Sequence, residues 1–268
     1  MFRLAFLLCA LPLLAAELRV MTFNVRYPNP KDGEDAWDKR KDLLVDTVRR
    51  YKPDLMGTQE LFHEQGEHIV AALPQYAWFG LSRRGNKEDE HMGVFYLKAR
   101  LRPVSTGNFW LSETPDKVGS SSWNMSLPRM VTWAVFEDLM TKKQFGYFNT
   151  HFAHRKEDEE ARKKAAAVIA ARMPKDGAFL LTGDFNAPTR GDVYKILVPA
   201  LTDVFSVAKE KDGPEGTFHG FKGNPGKDRI DWILFKAPWR VKKAEVITRS
   251  KNGRYPSDHF PVLAIFSL

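Results

Sequence analysis

Several short stretches of the chain end apolar, strand-like runs on side chains able to hold a metal, a proton or a phosphate. "LLTGDFNAP" closes on Asp184 and Asn186, "MTFNVR" near Asn24, "LMGTQE" on Glu60, and "GYFNTH" on Asn149 and His151, while "RIDW" carries Asp231. "YPSDHFPV" sets Asp258 beside His259 immediately before the last apolar run. An ionised carboxylate is expensive inside a core, so a buried strand that stops at one does so where the sheet meets a cleft. Asp and Asn before a proline are by themselves an ordinary turn cap. The same ending repeated along one chain describes a site. A carboxylate next to an imidazole supplies charge together with a group that titrates near neutral pH. No G-x-S-x-G segment is present, which disfavours acyl transfer through a serine nucleophile.

The elements that must position these residues alternate in type. "ELRVMTFNVR" is rich in β-branched and aromatic residues and predicts a strand; "KRKDLLVDTVRRY" follows with helical spacing of Leu43, Leu44, Thr47 and Val48. "DLMGTQE" and "FHEQGEHIVAAL" repeat the strand and helix. "YAWFGLS", "MGVFYLK", "MVTWAVFEDL" and "KQFGYFNTHF", punctuated by Gly, Pro and charged clusters, predict a sheet-rich middle. "RKEDEEARKKAAAVIAARM" is the strongest helix, with acids leading and bases following as the helix dipole favours. "AFLLTGDF", "RIDWILF", "VKKAEVIT" and "FPVLAIFSL" complete the strands. Strands outnumber the scattered helices, so two packed sheets with helices outside is the economical α+β arrangement. No repeat or linker divides the chain.

At 268 residues one large core is expected. Residues 1–16, "MFRLAFLLCALPLLAA", place Arg3 before an apolar stretch that ends in small residues, the layout of a secretory signal; the domain is then 17–268, exported to the periplasm or beyond the cell. No later segment approaches the roughly 20 apolar residues of a membrane helix. Cys9, the sole cysteine, falls within that signal, so disulfides and thiolate metal sites are excluded from the mature chain. The net charge is +8, or +7 without residues 1–16, which favours anionic partners such as nucleic acid or anionic lipid. A monomer is expected.

In their order, "FNVR", "TQE", "NTHFAH", "TGDFN", "RIDW" and "SDHFPV" resemble the endonuclease/exonuclease/phosphatase superfamily, also called DNase I-like. "NFWLSETP", "LPRMVTWAVF" and "TFHGF" resemble a narrower branch, secreted bacterial members near the deadenylase and nocturnin-like enzymes. The resemblance implies a four-layer α/β/β/α sandwich, its two mostly antiparallel sheets face to face with helices outside, and a divalent-metal site at one end. It implies Glu60 as principal ligand of Mg²⁺ or Mn²⁺, with Asn24 beside it and Asp258 close by. Asp184 then orients and deprotonates the attacking water, and Asn186 holds that water or a phosphate oxygen. His259 hydrogen-bonds the phosphate in a tautomer fixed by Asp231, and His151 contacts the phosphate from another side.

Arg129, Glu90, Asn149 and His219 are candidate substrate contacts, with ion pairing or packing as the plain alternative. Trp110, Phe218 and His219 are candidates to stack on a base or sugar, with core packing as the alternative. Where family members often carry an Asp, this chain has Ala153, followed by His154. The expected activity is metal-dependent hydrolysis of phosphodiester bonds by in-line attack of water, as an exonuclease or endonuclease. The alternatives are a phosphatase or phosphodiesterase acting on a phospholipid, sugar phosphate or nucleotide, and a catalytically inactive binding module.

Overall fold

The computed structural model describes residues 16–268; the expected export signal, apart from Ala16, lies outside the described residues. Along the chain come β1 (Glu17–Asn24), α1 (Trp37–Tyr51), β2 (Leu55–Gln59), α2 (His63–Ala72), β3 (Tyr76–Phe79), β4 (Val94–Leu97) and β5 (Leu101–Trp110). Then follow β6 (Met130–Asp138), β7 (Gln144–His151), α3 (Glu159–Arg172), β8 (Phe179–Asp184), α4 (Asp192–Leu197), β9 (Thr202–Asp203) and α5 (Val204–Val207). β10 (Glu210–Asp212), β11 (Asp231–Lys236), β12 (Arg240–Val246) and β13 (Val262–Ser267) close the order. One sheet runs β10-β12-β13-β1-β2-β4-β3 and the other β5-β6-β7-β8-β11-β9. Neighbours are antiparallel except β1 with β2, β10 with β12, and β7 with β8. The expected mostly antiparallel pair of sheets is therefore what the chain forms.

Three apolar layers show how the sheets stack. Leu18, Val20, Leu55 and Val94 of the first sheet meet Phe136, Tyr147, Leu180 and Ile233 of the second in one cluster. The alternate residues Met21, Phe23 and Met56 pack under Leu44, Val48 and Ile69 of α1 and α2. On the far side Leu181, Trp232 and Leu234 pack under Ala165 and Ile169 of α3 and Val193 of α4. Successive side chains of a strand point to opposite faces, so each central strand feeds one layer between the sheets and one beneath a helix. That gives four layers, with helices outside.

β5 escapes the sequence reading because Pro103 and Gly107 interrupt its pattern. It is the edge strand of its sheet, and the register slips between Pro103 and Ser105, which is where a strand tolerates proline.

Between the sheets the facing positions change character along each strand. β1 presents Leu18, Val20, Thr22 and then Asn24; β7 presents Tyr147, Asn149 and His151; β8 presents Leu180, Thr182 and Asp184; β11, running the other way, ends the same gradient on Asp231. The middle tier is a buried polar lattice. Gln59 Nε2 donates to Thr22 Oγ1 (3.1 Å) and Asn149 Oδ1 (2.8 Å), Asn149 Nδ2 donates to the Thr58 and Gly93 carbonyls (2.8 and 3.1 Å), and Tyr147 and Thr182 share a hydroxyl hydrogen bond of 2.6 Å. Asn149, expected at the substrate, is fully buried here and ties β7 to the opposite sheet; its amide groups are consumed by that task.

Gly57 of β2 faces this lattice at close range: a Cβ there would stand 2.4 Å from both Asn149 Oδ1 and the Tyr147 hydroxyl and 2.5 Å from Thr182 Oγ1. Gly57→Ala should accordingly lower unfolding free energy by about 1–3 kcal/mol through overpacking, read as a lower urea midpoint. An unchanged midpoint would show that the sheets are not held this closely.

Candidate active site

The polar ends of β1, β2, β7, β8 and β11 meet at one end of the sandwich and are joined there by the segment before β13. Asn24 links them. Its Nδ2 donates to Asp184 Oδ2 (3.0 Å) and Glu60 Oε1 (3.2 Å), and its Oδ1 accepts from the Arg26 backbone N–H (3.0 Å). Two carboxylates on one side and an N–H on the other fix which way the amide points. Asn24 thus spaces Asp184 from Glu60 with its nitrogen. Arg26, Glu60 and Asn186, each just past a strand end, hold left-handed backbone at φ 56°, 57° and 47°. Non-glycine residues adopt this conformation at a cost, and it concentrates at functional sites.

Glu60 and Asp258 face a common cation. Arg26 Nη1 lies 3.9 Å from Glu60 Oε2 and 3.7 Å from Asp258 Oδ2, while the rest of its guanidinium grips Asp32 at 2.8–2.9 Å. Ser257 Oγ donates to the Asn24 carbonyl at 2.6 Å, bringing the Asp258 segment to the end of β1. Arg40 of α1, almost wholly buried, donates to the carbonyls of Val25, Arg26, Asp35 and Pro256 at 2.7–2.9 Å and so fastens the same two segments. Neither Arg26 nor Arg40 was singled out in the sequence. Arg26 closes the "FNVR" motif, and Arg40 carried no signal beyond its place on an amphipathic helix.

On the other side Asp184 Oδ1 accepts the Asn186 N–H at 2.9 Å, so the turn-cap reading holds. Asn186 Nδ2 donates to the Phe152 carbonyl (3.1 Å), and the residue lines the cleft. His151 Nε2 and His259 Nε2 stand 3.5 and 3.8 Å from Asp184 Oδ2. His259 Nδ1 lies 2.9 Å from Asp231 Oδ2. That contact makes Nδ1 the protonated donor and leaves Nε2 facing the cleft.

Charge states follow from this packing. Burial, and then the charge on Asp231, push Asp184 up to about 7. Burial opposes the charge on His259, but the carboxylates of Asp231 and Asp184 outweigh it and push His259 up to about 10. His151 is held well below the usual imidazole value by burial, reinforced by the Arg129 and Arg83 guanidiniums, and is neutral. Burial raises Asp258 above the ordinary carboxylate range against the pull of His259.

The cleft encloses about 870 Å³ and is lined by Glu60, Asp184, Asn186, Asp258, His151 and His259, together with Arg26, Arg83, Glu90, Arg129, His154 and Phe218. At its inner wall Arg83 Nη1 reaches Glu90 Oε2 at 2.8 Å, with Arg129 Nη1 3.9 Å and His151 Nδ1 3.8 Å from the same oxygen. Burial and the nearby Glu60 charge push Glu90 up to about 7. Arg129 and Glu90 are therefore in the cleft and in an ion-paired cluster at once. His154 Nδ1 faces Arg129 Nη2 at 3.2 Å, and the Ala153 methyl packs with Met125 and Ala161 where an acid would have stood. His219 is buried against Phe260, ring centroids 4.0 Å apart, and Trp110 is buried with its indole N–H on the Arg83 carbonyl (2.7 Å). Of the three candidate stacking residues only Phe218, 49% exposed, presents a ring to the cleft.

Two groups of side chains are chemically suited to a cation. Asp184, Asp231 and His259 bring potential ligand atoms within 4.8 Å of one another. Asp231, however, is fully buried behind His259 and is taken up by the 2.9 Å hydrogen bond to that imidazole, so this trio leaves no open set of ligand atoms. Glu60 and Asp258 offer hard carboxylate oxygens at the cleft and already share one positive group, which fits Mg²⁺ or Mn²⁺.

A model of the endonuclease/exonuclease/phosphatase family matches residues 21–259. Among solved structures, an endonuclease/exonuclease/phosphatase from Bacteroides vulgatus is 33% identical with a TM-score of 0.88, covering 94% of this chain and 99% of that one. A mannosyl-6-phosphatase from Bacteroides thetaiotaomicron is also 33% identical at a TM-score of 0.88, covering 94% of this chain and all of its own (100%). Human nocturnin is 22% identical across 93% of this chain, which spans 65% of nocturnin's length. The human nocturnin catalytic domain, solved with a bound sulfate anion, shares the fold at a TM-score of 0.72 and 20% identity, covering 94% of this chain and 93% of that one. With its motifs in family order and nearly its whole described length matched, the chain belongs to the endonuclease/exonuclease/phosphatase family, whose members hydrolyse phosphoester bonds with the help of divalent metals.

Proposed function

We propose that the protein hydrolyses the phosphate ester of a compact polar molecule, a sugar phosphate in class, by in-line attack of water. The observation that carries this reading is the position of Asp184 Oδ2, which Asn24 ties to the carboxylate side of the cleft while both imidazoles approach it from the other. Ionised Asp184 orients the water and takes its proton. Asn186 lines the cleft beside Asp184 and offers its amide to that water or to a phosphate oxygen. His259, protonated and steadied by Asp231, donates from Nε2 to the phosphoryl oxygens as negative charge develops on them. His151, neutral and buried, contributes a second donor from Nε2. Glu60 and Asp258 would hold the cation, whose chemistry is to polarise the phosphoryl oxygen and neutralise its charge.

The charge of the cleft favours a compact substrate. The cleft lining contains five acids and no lysine, and its three arginines already face carboxylates: Arg26 faces Asp32, Arg83 faces Asp89 and Glu90, and Arg129 faces Glu90. The cleft walls therefore offer no unpaired arginine and no lysine to a polymer backbone, whose neutralised phosphates supply much of nucleic-acid affinity. A nucleic acid, the substrate expected from composition, becomes the second reading, favoured by the half-exposed Phe218 as a stacking platform.

A panel of sugar phosphate, mononucleotide and oligonucleotide decides between them: the sugar phosphate should give the highest kcat/KM, and hydrolysis should stop with chelator and return with Mg²⁺ or Mn²⁺. Faster, steeply salt-sensitive cleavage of the oligonucleotide would favour the second reading, while turnover that chelator leaves untouched would sink the cation assignment. Asp184→Asn should lower kcat by about a thousandfold.

The charged state of His259 makes a separate prediction about pH. Activity needs His259 protonated, so it should fall as pH rises toward about 10. Asp231→Asn removes the main group raising His259, so the alkaline limb should move to lower pH, with kcat down by about a hundredfold or more. An alkaline limb that does not move would assign it to another residue.

A further inference from the structure

The end of the sandwich opposite the cleft carries a pattern of charge that hydrolysis does not use. Strand register locates it. β1 begins there at Glu17, paired with Ser267 at the end of β13, which is also paired with Arg240 at the start of β12. In the other sheet Phe179, at the start of β8, pairs with Gly146 of β7 and with Lys236 at the end of β11. With a rise of about 3.3 Å per residue, β1 sets this pole roughly 23 Å from Asn24.

Lys142, Lys143, Lys175, Lys209, Lys236 and Arg240 are exposed around these strand ends and join no ion pair among the described residues; beside them stand the exposed acids Asp176 and Glu210, and Glu17, which is paired with Lys242. Apolar groups stand among the bases. Met140 is 65% and Val207 51% exposed. The half-buried Trp239 meets Phe145 and Phe266 edge-on, and with Val207 and Phe235 it lines a shallow groove flanked by Lys209, Arg240 and Lys242. The chain also enters the fold here, since the Ala16 carbonyl accepts from the Leu268 N–H at 3.0 Å. The residues before Ala16 form the apolar stretch read as an export signal.

We propose that this pole rests on an anionic phospholipid surface, with the cleft turned toward solution. Unpaired lysines attract anionic headgroups, and each strengthens adsorption about fivefold. Exposed Met140 and Val207, with an indole at the rim, can enter the headgroup boundary, as interfacial proteins require. A nucleic acid would engage the same lysines but would gain nothing from the aliphatic groups.

The test is cosedimentation of the full-length chain with vesicles of phosphatidylcholine alone and of phosphatidylcholine mixed with phosphatidylglycerol. The apolar N-terminal stretch carries Arg3 and the terminal ammonium and favours the anionic vesicles too, so the basic pole is read from the difference between the unsubstituted chain and one altered only at that pole. Binding to the anionic vesicles should be at least about tenfold stronger and should vanish near 0.5 M salt, where charges are screened within a few ångströms. The triple substitution Lys143→Glu, Lys209→Glu and Arg240→Glu should lower anionic binding about a hundredfold or more while leaving hydrolysis of a soluble ester unchanged. If that variant loses hydrolysis as well, the corresponding Lys143→Gln, Lys209→Gln and Arg240→Gln set serves instead, with the same loss of binding expected. Equal binding to both vesicle types, or full binding by the substituted protein, overturns the proposal. So does a substitution that abolishes retention on RNA but not on vesicles, which would assign the pole to nucleic acid.

Discussion

Everything at the active end depends on the layer between the two sheets changing from apolar to polar along the strands. Its facing positions begin on Leu18, Tyr147, Leu180 and Ile233, pass through Thr22, Asn149 and Thr182, and finish on Asn24, His151, Asp184 and Asp231. A carboxylate at the far end of this layer would sit in a dry core without partners, at a cost of several kcal/mol. At the near end each acid has a hydrogen bond or a positive neighbour within reach. The polar middle tier is what allows the change, because amide and hydroxyl groups satisfy one another across the sheets and hold the strands at a fixed spacing.

The acids are then separated by what each one touches. Asn24 donates to both Asp184 and Glu60 and keeps them in different roles: one faces the imidazoles, the other faces Arg26. Asp231 is the most deeply placed and is matched with His259, so its charge is spent on keeping that imidazole protonated. Burial, and then the like charge of Asp231, raise the proton affinity of Asp184, which suits a group that must accept a proton from water near neutral pH. The left-handed turns at Arg26, Glu60 and Asn186 each cost about 1–3 kcal/mol. Arg40, with its donors on four backbone carbonyls, is the kind of buried support that can hold such turns in place.

Much of this was legible in the sequence, for reasons that can be given residue by residue. The strands announce themselves through β-branched and aromatic runs, and their polar last residues point to a cleft; Asp184, Glu60, His151, His259 and Asp258 do meet there. The strand and helix pattern suggested two packed sheets with helices outside, the order of the six motifs pointed to the same four-layer sandwich, and the order of the strands was not legible. What stayed hidden is direction and contact. Asn149 and Asn24 look alike as strand-ending amides, yet the first is one step further from the cleft on its strand and is consumed by Gln59 and the Gly93 carbonyl. Arg40 reaches the Pro256 carbonyl far along the chain, and no spacing rule reports such a partner. Net charge was the least informative feature for the cleft, since most of the basic residues lie away from it.

On this account the cation belongs between Glu60 and Asp258, apart from Asp184 and the hydrogen-bonded Asp231–His259 pair. Anomalous diffraction from crystals grown with Mn²⁺ tests it directly. A single strong peak bounded by the Glu60 and Asp258 carboxylates, lost in Glu60→Gln crystals, is the expected result. A peak seated on Asp231 and His259, with none at Glu60, would contradict the account.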